Sequence, residues 1–271
     1  MVIDFHSHCF PDALAPRAIE KLCGNAMHTD FSPHTNGTAS DTEAKLGAAG
    51  IDHAVVCNIA TNVRQQHNVN SFAISLAERD GMLIPLGSLH PEGEDKRGEL
   101  ARLRAAGIRG IKIHPDYVRF DIDDPGFDEI FTLCTETGFF VVTHAGLDPV
   151  SPDHMHASPR AIANVLGRYP GLRLVAAHMG SLRCAAEVLE TLVGLDVYFD
   201  TSLSSLRPDE HDALIKILQN HRPDRLLFGT DTPWSCAADE LSFVETAPIP
   251  DNLRERILWR NAAEILGLER S

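Results

Sequence analysis

The chain of 271 residues carries 24 Lys+Arg against 38 Asp+Glu, a net charge of −14, with 44% hydrophobic and 23% charged residues. That acidity excludes broad binding to nucleic acid or anionic membranes, and the ordinary apolar fraction excludes a disordered chain. No apolar stretch reaches membrane-spanning length and the N-terminus lacks a basic, cleavable leader, so a cytoplasmic protein is expected. Six cysteines, Cys9, Cys23, Cys57, Cys134, Cys184 and Cys236, show no paired spacing and read as free thiols.

Short β-rich runs alternate with helical patterns along the chain. The first run, "VIDFHSH" (2–8), puts His6 and His8 two residues apart and so on one face of a strand. A stretch rich in Gly, Ser, Thr and Asn, "GNAMHTDFSPHTNGTAS" (24–40), follows and reads as a loop insertion. Then come "HAVVCNIA" (53–60), a helix over 70–81, "MLIPLGSLH" (82–90), "GIRGIKIH" (107–114) and a helix over 126–138. "FFVVTHA" (139–145) leads into a second long loop, 146–159, and a helix over 158–171. "LRLVAAH" (172–178), a helix over 181–194, "LDVYFDT" (195–201), a helix over 208–221 and "RLLFGTD" (225–231) complete the pattern. Several helices begin at Ser or Pro and end at Gly, as capped helices do. Eight strand and helix repeats predict an α/β protein, a (β/α)8 TIM barrel, in one domain spanning 1–271. A doubly wound open sheet is the alternative.

In a barrel the reactive groups gather at the carboxyl ends of the strands. Six of the 14 histidines, His6, His8, His90, His114, His144 and His178, end predicted strands, and the eighth run ends in Asp231. Imidazole nitrogens and carboxylate oxygens are zinc ligands, and His6, His8, His144 and Asp231 can form one set with a position left open. For any single histidine an ordinary hydrogen-bonded role competes; the shared strand-end position argues for ligation. His178 suits either a fifth ligand or a group that polarises a substrate carbonyl and holds an oxyanion.

The motifs "DFHSH", "GIKIHPDY", "VVTHAG", "VAAHMG" and "FGTDTPW", in that order, resemble the amidohydrolase superfamily, in the amidohydrolase-related (amidohydrolase 2) branch of metal-dependent TIM-barrel hydrolases and decarboxylases. "RNAAEILGL" (260–268) resembles that branch's last helix. The resemblance implies one divalent metal, taken as zinc, held by His6, His8, His144 and Asp231. It places His178 beside the metal and makes Asp231 the acceptor of a proton from the attacking water. It also implies an unmodified Lys112, the alternative being a carboxylated lysine bridging two metals.

Lys112 and His114, two apart, should both face the barrel interior as candidate substrate contacts. Lys112 alternatively neutralises buried carboxylates such as Asp4, and His114 alternatively caps its strand. Arg64, in "NVRQQHN" (62–68), is a candidate clamp for a substrate carboxylate, against plain surface solvation. Asp200 is placed to orient a ligand histidine or to cap the next loop. The branch contains hydrolases and non-oxidative decarboxylases, and the short chain favours the former. The expected activity is hydrolysis of a small carbonyl compound, an amide, ester or lactone. Decarboxylation of an unsaturated or aromatic carboxylic acid is the alternative. A silent binding barrel fits less well, since every expected ligand type is present. A DNA-directed hydrolase fits less well too, because the fourth strand lacks an acidic ligand and no basic stripe exists. The expected partners are a small-molecule substrate and, by the frequency of two-fold assemblies, a second copy in a homodimer. Specificity should lie in the loops 24–40, 61–69, 115–125 and 146–159.

Overall fold

Eight short parallel strands form in the expected order in the computed structural model, which describes residues 1–25, 32–79 and 81–268. They are β1 (Ile3–Ser7), β2 (His53–Val56), β3 (Leu83–Pro85), β4 (Gly110–Ile113), β5 (Phe140–Thr143), β6 (Leu174–Ala176), β7 (Tyr198–Asp200) and β8 (Leu226–Leu227). One ladder joins β1 to β3 and another joins β4 to β8. Two parallel bridges, Gly87 with Ile111 and Ser7 with Thr232, weld the ladders into a ring. At the second seam Phe5 N donates to Phe228 O (2.7 Å) and Asp231 N donates to His6 O (2.7 Å). Closure leaves no free sheet edge, so the protein is the expected α/β TIM barrel and not an open sheet.

Each strand is shorter than its apolar run. The ladders stop where the chain turns outward into βα loops, so His114, His144, His178 and Asp231 lie just beyond their strands. Ile3, Phe5, Val55, Leu86, Phe140, Val142, Val175 and Leu227, drawn from strands around the ring, touch one another as one buried cluster. Ala262, Ile265 and Leu266 of the last helix (Asn261–Leu266) join this cluster. A larger cluster lies between the barrel and the helices around it.

The helices expected at 70–81, 126–138, 158–171 and 208–221 form as Gln66–Ala77, Asp128–Thr137, Pro159–Arg168 and His211–Asn220. Ser158 caps the third by accepting from Ala161 N. The helix expected at 181–194 is cut to Ala185–Thr191. Its first turn is spent on a tight bend with positive φ at His178 (58°), Met179 (59°) and Arg183 (63°). The expected loop 24–40 is shortened at both ends by helices Ala15–Asn25 and Ala39–Ala48, and its residues 26–31 lie outside the described residues. All six cysteines are free. Among the described residues no helix is long and apolar enough to cross a membrane.

Candidate metal centre

Closure of the ring between β1 and β8 brings Asp231 against the two histidines of β1. Asp231 Oδ1 lies 2.9 Å from His8 Nε2 and 3.5 Å from His6 Nε2. Three of the four expected ligands therefore converge. His144 stands one ring away, with its Nδ1 3.2 Å from His178 Nε2. Its own Nε2 is buried without a hydrogen-bond partner among the described residues, 3.8 Å from Asp148 Oδ2.

The hydrogen bonds fix which nitrogens carry lone pairs. A carboxylate only accepts, so His6 donates from Nδ1 to Asp200 Oδ2 (2.9 Å) and keeps its lone pair on Nε2. Burial and then the Lys112 charge hold His6 well below the usual histidine range, so the ring is neutral. Ser202 Oγ donates to Asp200 Oδ1, which leaves it to accept from His178 Nδ1 (2.8 Å). His178 Nε2 then accepts from His144 Nδ1, and the lone pair of His144 falls on the unpartnered Nε2. Burial lowers both rings, His144 to about 4 with a further push from His114, and His178 well below the usual histidine range, so both are neutral. The His6 Nε2 lone pair is met by Lys112 Nζ and that of His144 is bare. His6, His8 and Asp231 offer donor atoms within 4.8 Å of one another, a set that fits a divalent metal, whereas His144 groups with His114 and Asp148; Asp200 supplies the outer carboxylate that orients His6.

Lys112 and Asp4 require a correction. Lys112 Nζ donates to His6 Nε2 (3.0 Å) and does not neutralise Asp4. Asp4 turns instead to the neighbouring strand end, accepting from His6 N (2.9 Å), Thr230 N (2.9 Å) and Thr230 Oγ1 (2.7 Å). Burial pushes its carboxyl up to about 7.

The site opens into a cavity of about 1020 Å3. His6, His8, Lys112, His114, His144, His178 and Asp231 all line it, beside an apolar wall that includes Phe10, Leu14, Ile59, Phe72, Leu203 and Trp234. His114 stacks on His144 with ring centroids 4.3 Å apart, and its Nε2 lies 3.5 Å from Asp148 Oδ2. Arg64 is a second correction. It sits exposed on the turn Val63–Gln65 and does not line the cavity; Thr61, Gln65 and Asn68 do, because the helical turn rotates Arg64 away. His90 is also turned to local use, accepting from Glu92 N at Nδ1 (3.2 Å).

Sequence reasoning missed Asp148, Tyr117, Ser202, Lys21 and Arg119. Burial would raise Asp148, yet the hydrogen bond from His114 and the histidine charges hold its carboxyl well below the usual range. Seven described non-glycine residues have positive φ, and four of them, Arg119, His178, Leu203 and Asp231, line this cavity. Strained backbone of that kind concentrates at functional sites.

The family described as Amidohydrolase matches residues 3–268. The chain belongs to the amidohydrolase family. No curated protein matches it in sequence. Among solved structures, this amidohydrolase-family chain is similar to an uncharacterised TIM-barrel protein from Bordetella bronchiseptica, at 20% identity, 98% coverage of each chain and a TM-score of 0.77. It is also similar to a dihydroxybenzoic acid decarboxylase from Polaromonas sp., solved with manganese and an inhibitor, at 14% identity, covering 100% of this chain and 98% of that one, with a TM-score of 0.71. A probable 2-pyrone-4,6-dicarboxylic acid hydrolase from Acinetobacter baumannii gives 16% identity, 98% and 99% coverage and a TM-score of 0.67.

Proposed function

We propose that this amidohydrolase-family protein is a metal-dependent hydrolase of a small carbonyl compound, an amide, ester or lactone. The observation that carries the reading is the Asp231 carboxylate, in reach of both β1 histidines while lining the cavity. A divalent cation held by His6, His8, His144 and Asp231 would acidify a water and polarise a carbonyl there. The donor set suits Zn2+ and Mn2+ alike, and the manganese of the Polaromonas relative supports the second.

Asp231 accepts the proton of the attacking water and passes it to the leaving group. His178 holds the developing oxyanion. For that its Nε2 must carry a proton, which it does when Ser202 reverses its O–H toward Nδ1 and the His178 ring turns away from His144 Nδ1, which otherwise donates to it. Lys112 and His114 contact the substrate from β4 and its following residue.

Decarboxylation of an unsaturated or aromatic acid is the second reading, and a specific observation favours it. Lys21 and Arg119 line the cavity without an ion-pair partner among the described residues, and Phe10, Phe72 and Trp234 line the same cavity. The Polaromonas and Acinetobacter relatives are both named for carboxylic acids.

One experiment tests both. Metal content is measured on the purified protein, which is then screened with lactones, amides, esters and unsaturated carboxylic acids while CO2 is monitored. Acid released without CO2 supports hydrolysis, and CO2 from an acid supports decarboxylation. Full activity in metal-free protein overturns both. His178→Ala is expected to keep the metal and lose activity by roughly 10²–10³; loss of the metal with it would make His178 a ligand.

A further inference from the structure

A second H-x-H pair, His154 and His156, lies in the loop after β5, and Asp121 faces it from the loop after β4. His154 Nε2 is 2.7 Å and His156 Nδ1 is 2.9 Å from the same Asp121 Oδ1. The two rings meet edge to face with centroids 4.3 Å apart, and the three donor atoms all lie within 4.8 Å of one another. None of these residues belongs to the barrel donor set.

We propose that Asp121, His154 and His156 form a second divalent transition-metal site, which clamps the loop after β4 to the loop after β5 at the rim of the cavity. Two imidazole nitrogens and one carboxylate oxygen are the donors that zinc, cobalt or nickel select. Ligands bound at ~2.1 Å on neighbouring positions of one ion stand roughly 3.0–3.4 Å apart, so the two nitrogens need to part from Asp121 Oδ1 by only a few tenths of an ångström. The loops are already tied by Ile122 N donating to His156 O (2.8 Å), and Asn164 Nδ2 of the following helix Pro159–Arg168 donates to Asp123 Oδ2 (2.8 Å). Binding therefore orders little new chain. His154 and Asp121 are 58% and 47% exposed, which gives an ion its entry path and leaves positions for water. His154 and His156 also line the cavity, so the clamp sets the shape of its rim.

A plain ion pair between protonated histidines and Asp121 would use the same contacts, and metal counting separates the two. Chelator-stripped protein is dialysed against micromolar Zn2+ and its metal counted, for the parent, a His154→Ala/His156→Ala variant, Asp121→Asn and His6→Ala. Two ions are expected in the parent and one in the double variant. Proteolysis within 146–157 should slow on adding Zn2+ to the parent and stay unchanged in the double variant. Equal metal content in the parent and the double variant overturns the proposal. Failure of the barrel site is distinguishable. In that case the parent holds one ion, which His6→Ala keeps and the double variant loses, and the rim site still stands.

Discussion

Asp231 Oδ1 is shared by His8 and His6 at 2.9 and 3.5 Å, which asks one carboxylate to be both ligand and proton acceptor. Asparagine separates those roles. It has nearly the same shape and offers a carbonyl oxygen, yet it cannot take a proton from water at neutral pH. Asp231→Asn is therefore expected to keep most of the metal and lose roughly 10²–10⁴ in rate, the share of a general base. Metal and turnover are measured on the same preparation. A variant that binds metal and turns over within about tenfold of the parent, below that range, would leave Asp231 a ligand only.

One connecting element holds the site from outside. Arg207 is buried and donates to His178 O (2.9 Å) and Ser181 O (2.9 Å), while its Nε donates to Glu210 Oε2 (2.8 Å). It braces the turn in which His178 and Met179 are held at φ 58° and 59°. Arg207→Met keeps an apolar stem, orphans Ser181 O at about 1–3 kcal/mol, and leaves His178 O with only the long bond from Ser181 N (3.3 Å). The expectation is a lower melting temperature together with lost turnover. Unchanged values of both would show that the turn holds itself.

His221, just past the helix His211–Asn220, donates from Nε2 to Val197 O (2.9 Å) and accepts from Gly194 N at Nδ1 (3.1 Å). Only the neutral ring can do both. Burial lowers its pKa from 6.5 to about 4, so the unfolded chain takes up this proton first as pH falls. The stability it contributes is complete above 6.5 and is lost as pH drops through about 4. Thermal unfolding of His221→Gln across that window should show a flatter acid limb than the parent; parallel curves would refute the assignment.

At the scale of the whole molecule, the proposed barrel donor set draws on β1, β5 and β8 from around a ring that closes only in the native fold. A ligand bound to the native state alone stabilises it by about 4 kcal/mol at a thousandfold excess over its Kd. At roughly 2–4 °C per kcal/mol for a chain near this size, stripping the metal should lower the melting temperature by about 8–16 °C. His6→Ala should lack that response. A chelator-insensitive melting curve in metal-loaded parent protein would remove the metal from the account.

Strand and helix alternation, the Ser158 cap and the shared face of His6 and His8 are local properties, set by side chains within a few residues of one another, and they could be read without a fold. The strand-end position of His114, His144, His178 and Asp231 was legible for the same reason, because a barrel sends every carboxyl end to one rim. Other features depended on distances between segments far apart in sequence. Asp4 meets Thr230, and Lys112 meets His6, only because the ring closes between β1 and β8 and brings β4 across it. Arg64 lies in a suitable loop, but the pitch of one helical turn faces it to solvent. The net charge of −14 concealed Lys21 and Arg119, since a chain-wide sum carries no information on which residues line a cavity. Asp121 and His154 stand 33 positions apart, and their meeting at one oxygen is decided by how two βα loops pack side by side.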